Sequence, residues 1–158
     1  MGADGTFEAA ILEQTPDLLA AARVMTMDEA EAEDLVQWTI ETALRKGDQL
    51  RDPGALRPWL FRIQGREAVR LRRRMQAFVR WDAEWPEPIA PVEDRADFLA
   101  VREAIGSLPR RTRAALVLHY MIGLSVGDTA SALGTSANTV KTQLRHGLAR
   151  VREELKDA

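Results

Sequence analysis

Apolar residues in this chain return every three or four positions and nowhere alternate over a strand's length, so the backbone is committed to helices. In "DEAEAEDLVQWTIETALRK", Ala32, Leu35, Val36, Thr39, Ile40, Ala43 and Leu44 fall on one face. Asp28 precedes them as a cap for the free amides of the first turn, and Gly47 follows as a left-handed stop. The next stretch restarts with Asp52 as cap and Pro53 at the first helical position. Pro58 then begins a second helix with Trp59, Leu60, Ile63 and Val69 inward. Further on, "RADFLAVREAIGSL", "PRRTRAALVLHYMI", "SVGDTASAL" and "SANTVKTQLRHGLARVREELK" read as four helices punctuated by Gly106, Pro109, Gly123 and Gly134. Between the two groups lies "WDAEWPEPIAPV", whose prolines cannot continue a helix. The expected class is therefore all-α. Two small helical domains, 1–80 and 95–158, are joined by a proline-rich acidic linker, 81–94.

The formal charge of −2 conceals a segregation along the chain. Residues 1–50 carry eleven acids against three bases, a balance of −8. Residues 62–80 carry seven arginines against Glu67 alone, a balance of +6. Asp82 to Glu103 is acidic again, and Arg110 to Lys156 basic again. Alternating blocks of this kind predict two nucleic-acid-facing surfaces on a protein that presents acidic surface elsewhere.

Other classes lack their residues. With no cysteine there is no thiolate nucleophile, disulfide or Cys-type zinc site, and the two histidines, His119 and His146, have no metal-ligand spacing. Neither a nucleophile–base pair nor a phosphate-binding glycine loop is present, so no enzyme, catalytic residue, cofactor or metal is expected. No apolar run approaches the roughly 18 residues of a membrane span, and "MGADGTFEAA" does not read as a secretory signal. A cytoplasmic protein without membrane insertion is the expectation.

The third and fourth C-terminal helices meet the requirements of a helix-turn-helix: Ala130 where the helices cross, Gly134 in the turn and Val140 as apolar anchor. Val140, Leu144, Leu148, Val151 and Leu155 form an inward stripe. Asn138, Thr139, Lys141, Thr142 and Arg145 are left near the opposite face, within reach of base edges and phosphates, with Ser136 as cap. Thr129 and Thr135 stand at core-side positions, where their hydroxyls require backbone partners. Arg110, Arg111 and Arg113 are candidate phosphate contacts, "ALVLHYMI" reads as core, and His119 as a packed histidine. His146 lies beside the reading face. Trp38 and Trp59 read as core; Trp81 and Trp85 are the candidates for stacking on nucleic acid or a regulator.

The segment "SLPRRTRAALVLHYMIGLSVGDTASALGTSANTVKTQLRHGLARVREEL" resembles region 4 of the extracytoplasmic-function (ECF) sigma factors of bacterial RNA polymerase. "EAEDLVQWTIETALRK" and "PWLFRIQGREAVRLRRR" resemble two successive helices of region 2, in the right order. The resemblance implies that Glu33, Asp34, Gln37 and Glu41 dock on the polymerase clamp. It implies that Arg62, Arg66, Arg70, Arg73 and Arg74 serve the −10 element and its melting, and that the helix-turn-helix reads the −35 element. The partners it implies are core polymerase through clamp and flap, double-stranded promoter DNA, the melted −10 strand, and an anti-sigma factor of the kind that commonly holds family members inactive. Three positions depart from the pattern: Arg66 and Arg70 stand where an asparagine and an aspartate are usual, and Gln143 where a basic residue is common. Two other readings are a sigma-like decoy that sequesters an anti-sigma factor, and a plain helix-turn-helix repressor, which leaves "EAEDLVQ" unexplained.

Overall fold

The computed structural model describes residues 3–70 and 95–157, and among them every regular element is helical. The chain opens with α1 (Ala3–Glu13) and α2 (Thr15–Thr26), two helices that the sequence pattern did not single out. Pro16 lies in the first turn of α2, where its missing amide costs nothing. Ile11, Leu18, Ala21, Ala22 and Met25 are fully buried. A left-handed Met27 (φ 57°) turns the chain into α3 (Glu29–Arg45), whose first turn Asp28 caps by accepting from the Glu31 amide at 2.8 Å. The Arg23 Nε donates to both carboxylate oxygens of Glu29 (2.8 and 3.0 Å), tying the end of α2 to the start of α3.

The buried face of α3 is the expected one except at its end. Ala32, Leu35, Val36, Thr39 and Ala43 are buried, but Leu44 is 44% exposed because Ala43 and Thr42 occupy the inward positions of the last turn. The buried Thr39 hydroxyl donates to the Leu35 carbonyl at 2.7 Å, so it adds no orphan to the core. Gly47 does not act as a left-handed stop: among the described residues the positive-φ glycines are Gly123 and Gly134, and Gly47 opens a 3₁₀ turn instead. Its constraint is space, since a Cβ there would stand 2.6 Å from Cε1 of Phe7.

Asp52 accepts from the Gly54 amide (2.9 Å) and Pro53 begins a 3₁₀ turn that runs into α4 (Leu56–Arg70). Pro58 therefore sits inside the first turn of α4 and does not start it. This helix buries more than one face, including Leu60, Phe61, Gln64, Gly65, Glu67 and Ala68. The reason is its position: α2 and α3 pack on it from the N-terminal half, α6 and α7 from the C-terminal half.

The C-terminal half comprises α5 (Arg95–Gly106), α6 (Arg110–Leu116) with a continuing turn of π-helix (Val117–Met121), α7 (Val126–Leu133) and α8 (Ala137–Asp157). The π turn is closed by the Ile122 amide on the Val117 carbonyl (3.0 Å), and His119 Nδ1 lies 2.8 Å from the Leu124 carbonyl. At Gly147 the long α8 crosses α6 closely; a Cβ would meet Thr112 Cγ2 at 2.8 Å. Ser107 and Arg150 both donate to Glu154 Oε1 (2.7 and 2.8 Å), linking the end of α5 to α8. Arg150 first and Ser107 second hold the Glu154 carboxyl below its ordinary value.

The two halves share one continuous core. Leu18, Met25, Leu60 and Phe61 belong to the same buried cluster as Leu108, Ala115, Leu118 and Leu133.

Candidate nucleic-acid interface

The turn between α7 and α8 is built by three local devices. Ser125 caps α7 by accepting from the Asp128 amide at 2.9 Å. Gly134 adopts φ 63° and ψ 41°, and the following Thr135 amide returns to the Ala130 carbonyl at 3.0 Å, the hydrogen-bond pattern of a left-handed helix stop. Ser136 then caps α8, accepting from the Thr139 amide at 3.1 Å. Ala130, Val140, Leu144 and Gly147 are buried, Leu148 and Val151 partly so, and Leu155 is exposed at the end of the stripe.

On the opposite side Asn138, Thr139, Lys141, Thr142 and Arg145 are all exposed, as are Ser136 and His146. The structure thus brings the −35 candidates to one surface. Thr139 is partly engaged, its hydroxyl 2.9 Å from that of Ser136. Gln143 is half-buried with an Oε1 that has no partner, turned away from the row formed by Lys141 and Arg145. The buried Thr129 hydroxyl lacks the backbone partner its position requires.

The three arginines ahead of the helix-turn-helix are not free for phosphates. Arg110 pairs with Glu31 of α3, and Arg111 donates to the Leu133 carbonyl at 3.4 Å. Arg113 donates to the carbonyls of Met25 (3.1 Å), Gly106 (3.3 Å) and Leu108 (2.8 Å). Sequence alone shows them as cations; only the fold supplies the carbonyls and the carboxylate that hold them. The reverse holds at the end of the apolar run, where Tyr120 (56%) and Met121 (50%) are exposed rather than core.

A second cationic row runs along α4, with Arg62, Arg66 and Arg70 one turn apart. Arg62 is half-buried, and Arg66 and Arg70 are exposed. Arg66 donates to the Ser131 carbonyl of α7 at 3.2 Å. Arg70 pairs with the buried Glu67 at 3.1 Å and stands over the Trp38 ring, 6.0 Å from its centroid. Arg73, Arg74, Trp81 and Trp85 lie outside the described residues. On α3, Glu33, Asp34, Gln37 and Glu41 are exposed together, with Gln37 Nε2 donating to Glu41 at 3.0 Å. An acidic helix face, a cationic row and the exposed polar face of α8 are thus carried on one small helical body.

Residues 11–78 match the Sigma-70 region 2 family and residues 98–151 the Sigma-70 region 4 family. The RNA polymerase sigma-E factor of Streptomyces coelicolor is 30% identical over 98% of this chain and 89% of its own. SigM of Mycobacterium tuberculosis, an ECF RNA polymerase sigma factor, is 32% identical over 82% of this chain and 67% of its own. The chain belongs to the ECF sigma factors. Among solved structures, the sigma factor RpoE of Bartonella quintana, in complex with the anti-sigma factor NepR, superposes with a TM-score of 0.79. It is 27% identical and the match covers 96% of this chain and 97% of that one.

As a sigma factor the protein docks on core RNA polymerase and directs promoter-specific initiation through −10 and −35 DNA. Among the described residues no helix is long and apolar enough to cross a membrane, and no His, Asp and Glu cluster could hold a metal ion.

Proposed function

We propose how this sigma factor divides the work among its residues. Residues 1–80 serve the polymerase clamp and the −10 element, 81–94 connect, and 95–158 read the −35 element. Glu33, Asp34, Gln37 and Glu41 present carbonyl and carboxylate oxygens to a basic clamp surface, complementarity that steers docking and fixes its register. Arg62, Arg66, Arg70, Arg73 and Arg74 neutralise phosphates flanking the −10 element. Asn138, Lys141, Thr142 and Arg145 enter the major groove of the −35 element, while Ser136 and Thr139 order the start of α8 so that its free amides face a phosphate. The protein works in the cytoplasm, where polymerase and promoters are, and has no catalytic residue of its own. Its relation to a sigma factor solved with an anti-sigma protein supports a similar regulator here.

The observation that carries this assignment is the two-sidedness of α8: Val140, Leu144 and Gly147 are buried while Asn138, Lys141, Thr142 and Arg145 are exposed. Asn138 tests it most specifically, because an uncharged amide discriminates among base edges whereas Lys141 and Arg145 add sequence-independent attraction to phosphates. In a selection of −35 duplexes, Asn138→Ala is expected to relax preference at one or two base pairs, at a cost of about 1–3 kcal/mol on the preferred sequence. An unchanged preference with unchanged affinity would remove α8 from the reading role. The decoy reading predicts that outcome, with no sequence preference in the parent protein either.

A further inference from the structure

The reading residues occupy only the first part of α8. From Asn138 to Arg145 the helix rises about 10 Å, enough to fill a major groove about 12 Å wide. The helix then continues from Arg145 to Asp157. Its 21 residues make it about 31 Å long, and a straight rod of that length cannot follow a groove that winds around the duplex. The outgoing half must therefore pass a strand of phosphates.

What it presents on that path is cationic. At 3.6 residues per turn, Asn138, Lys141, Arg145, Arg152 and Lys156 all lie within about 40° of one line along the helix. All five are exposed. Ala149 shares the band, and its short side chain lets a backbone strand approach. The acids of this half, Glu153, Glu154 and Asp157, stand about 80° or more from the line. Glu154 is taken up on the inner side, where it accepts from Ser107 of α5 at 2.7 Å and from Arg150 at 2.8 Å. Those bonds tie the last turns of α8 to α5 and fix their direction.

Helix stability alone does not call for this stripe. Arg152 and Lys156 are four positions apart, a like-charge spacing that disfavours a helix. The helix dipole favours a cation in the last turn, which accounts for Lys156 but not for Arg152, more than a turn from the end. Among the described residues neither forms an ion pair, unlike Arg150 beside them.

We propose that Arg152 and Lys156 are phosphate contacts of the −35 complex: the first half of α8 reads bases, and the second grips the sugar–phosphate strand bordering the groove. The two residues stand about 10 and 16 Å beyond Arg145, past the groove's edge, so they add affinity without sequence preference. The inference rests on the assignment of α8 to the −35 element, and its test separates the two.

The full chain, assembled with core polymerase, is titrated onto a duplex carrying the −35 element at several salt concentrations. Arg152→Gln with Lys156→Gln keeps helix propensity and is expected to flatten the slope of log affinity against log salt by about 1.8, or 0.9 for each phosphate no longer neutralised. The advantage of the parent over this variant then shrinks about 12-fold between about 50 and 200 mM salt. Arg150→Gln removes a like charge from another face of the helix and is expected to leave the slope unchanged. Base preference in a selection of duplexes should be the same in all three proteins. An unchanged slope in the double variant would overturn the inference, and a loss of transcription without a loss of duplex affinity would assign the stripe to an acidic protein instead. A shifted base preference would overturn it by making Arg152 or Lys156 a reader. So would a loss from Arg150→Gln equal to half that of the double variant, which would reduce the stripe to bulk charge. A parent with no preference among duplexes would remove the −35 assignment and the inference with it, a result distinct from an unchanged slope with preference intact.

Discussion

Replacing Lys141 and Arg145 together by glutamate is expected to abolish −35-dependent transcription while leaving the protein folded. Both residues are exposed on the outer side of α8, opposite Val140 and Leu144. Neither contributes to the core, so thermal stability should move by no more than about 0.5 kcal/mol. A well-placed side chain on a base edge is worth about 1–3 kcal/mol, so removing two costs about 2–6 kcal/mol, and reversed charge adds repulsion from the phosphates. The measurement is fluorescence anisotropy on a −35 duplex at several salt concentrations, alongside transcription. Affinity should fall by at least about 100-fold, and the slope of log affinity against log salt should flatten by about 0.9 for each phosphate that is no longer neutralised. Unaltered affinity would mean that DNA is met by some other surface. Unaltered cellular effect despite abolished DNA binding would favour the decoy.

Reversing the acidic face should act at the other end of the molecule. Glu33→Lys with Asp34→Lys is expected to reduce binding to core polymerase by about 100-fold or more, because placing like charges together across an interface costs several kcal/mol. The −35 duplex affinity should be unchanged, since α8 lies outside this face. Surface plasmon resonance against core polymerase reads the first quantity and anisotropy the second. A fall in both together would indicate a folding defect, which the melting transition detects. Retention of polymerase binding would detach the acidic face from docking altogether.

The helix-turn-helix was legible in the sequence because each of its devices is local. Gly134 and Ser136 act on amides and carbonyls within a few residues of themselves. The row from Asn138 to Arg145 follows from helical spacing once Val140 is buried. The same is true of α3, where Asp28 caps its own first turn and the apolar spacing selects the face. What escaped was whatever depends on distant partners. The helices α1 and α2 are rich in alanine, which packs closely but leaves a weak amphipathic stripe. Leu44 sits on the periodic face and is nevertheless exposed, because Thr42 and Ala43 take the inward positions of that turn.

Arginines were the hardest residues to place. Arg110, Arg111 and Arg113 have the composition of a phosphate-binding cluster, yet their partners are Glu31 and backbone carbonyls as far as 88 positions away in sequence. No periodicity encodes such a partner. Gly65 was equally silent: it reads as an indifferent position in a helix, and only the approach of Leu118 shows that a side chain there would not fit. The departure at Arg66 is the most informative of these. Where the family pattern has asparagine, this chain has a side chain long enough to reach the Ser131 carbonyl of the opposite half.

The central claim, that this ECF sigma factor engages core polymerase and selects promoters with the surfaces named above, is tested most directly by run-off transcription on a promoter library with purified core enzyme. Transcripts that appear only when the protein is added, and whose templates share sequences at −10 and −35, are the predicted result. Core polymerase that neither binds the protein nor yields any such transcript would contradict it.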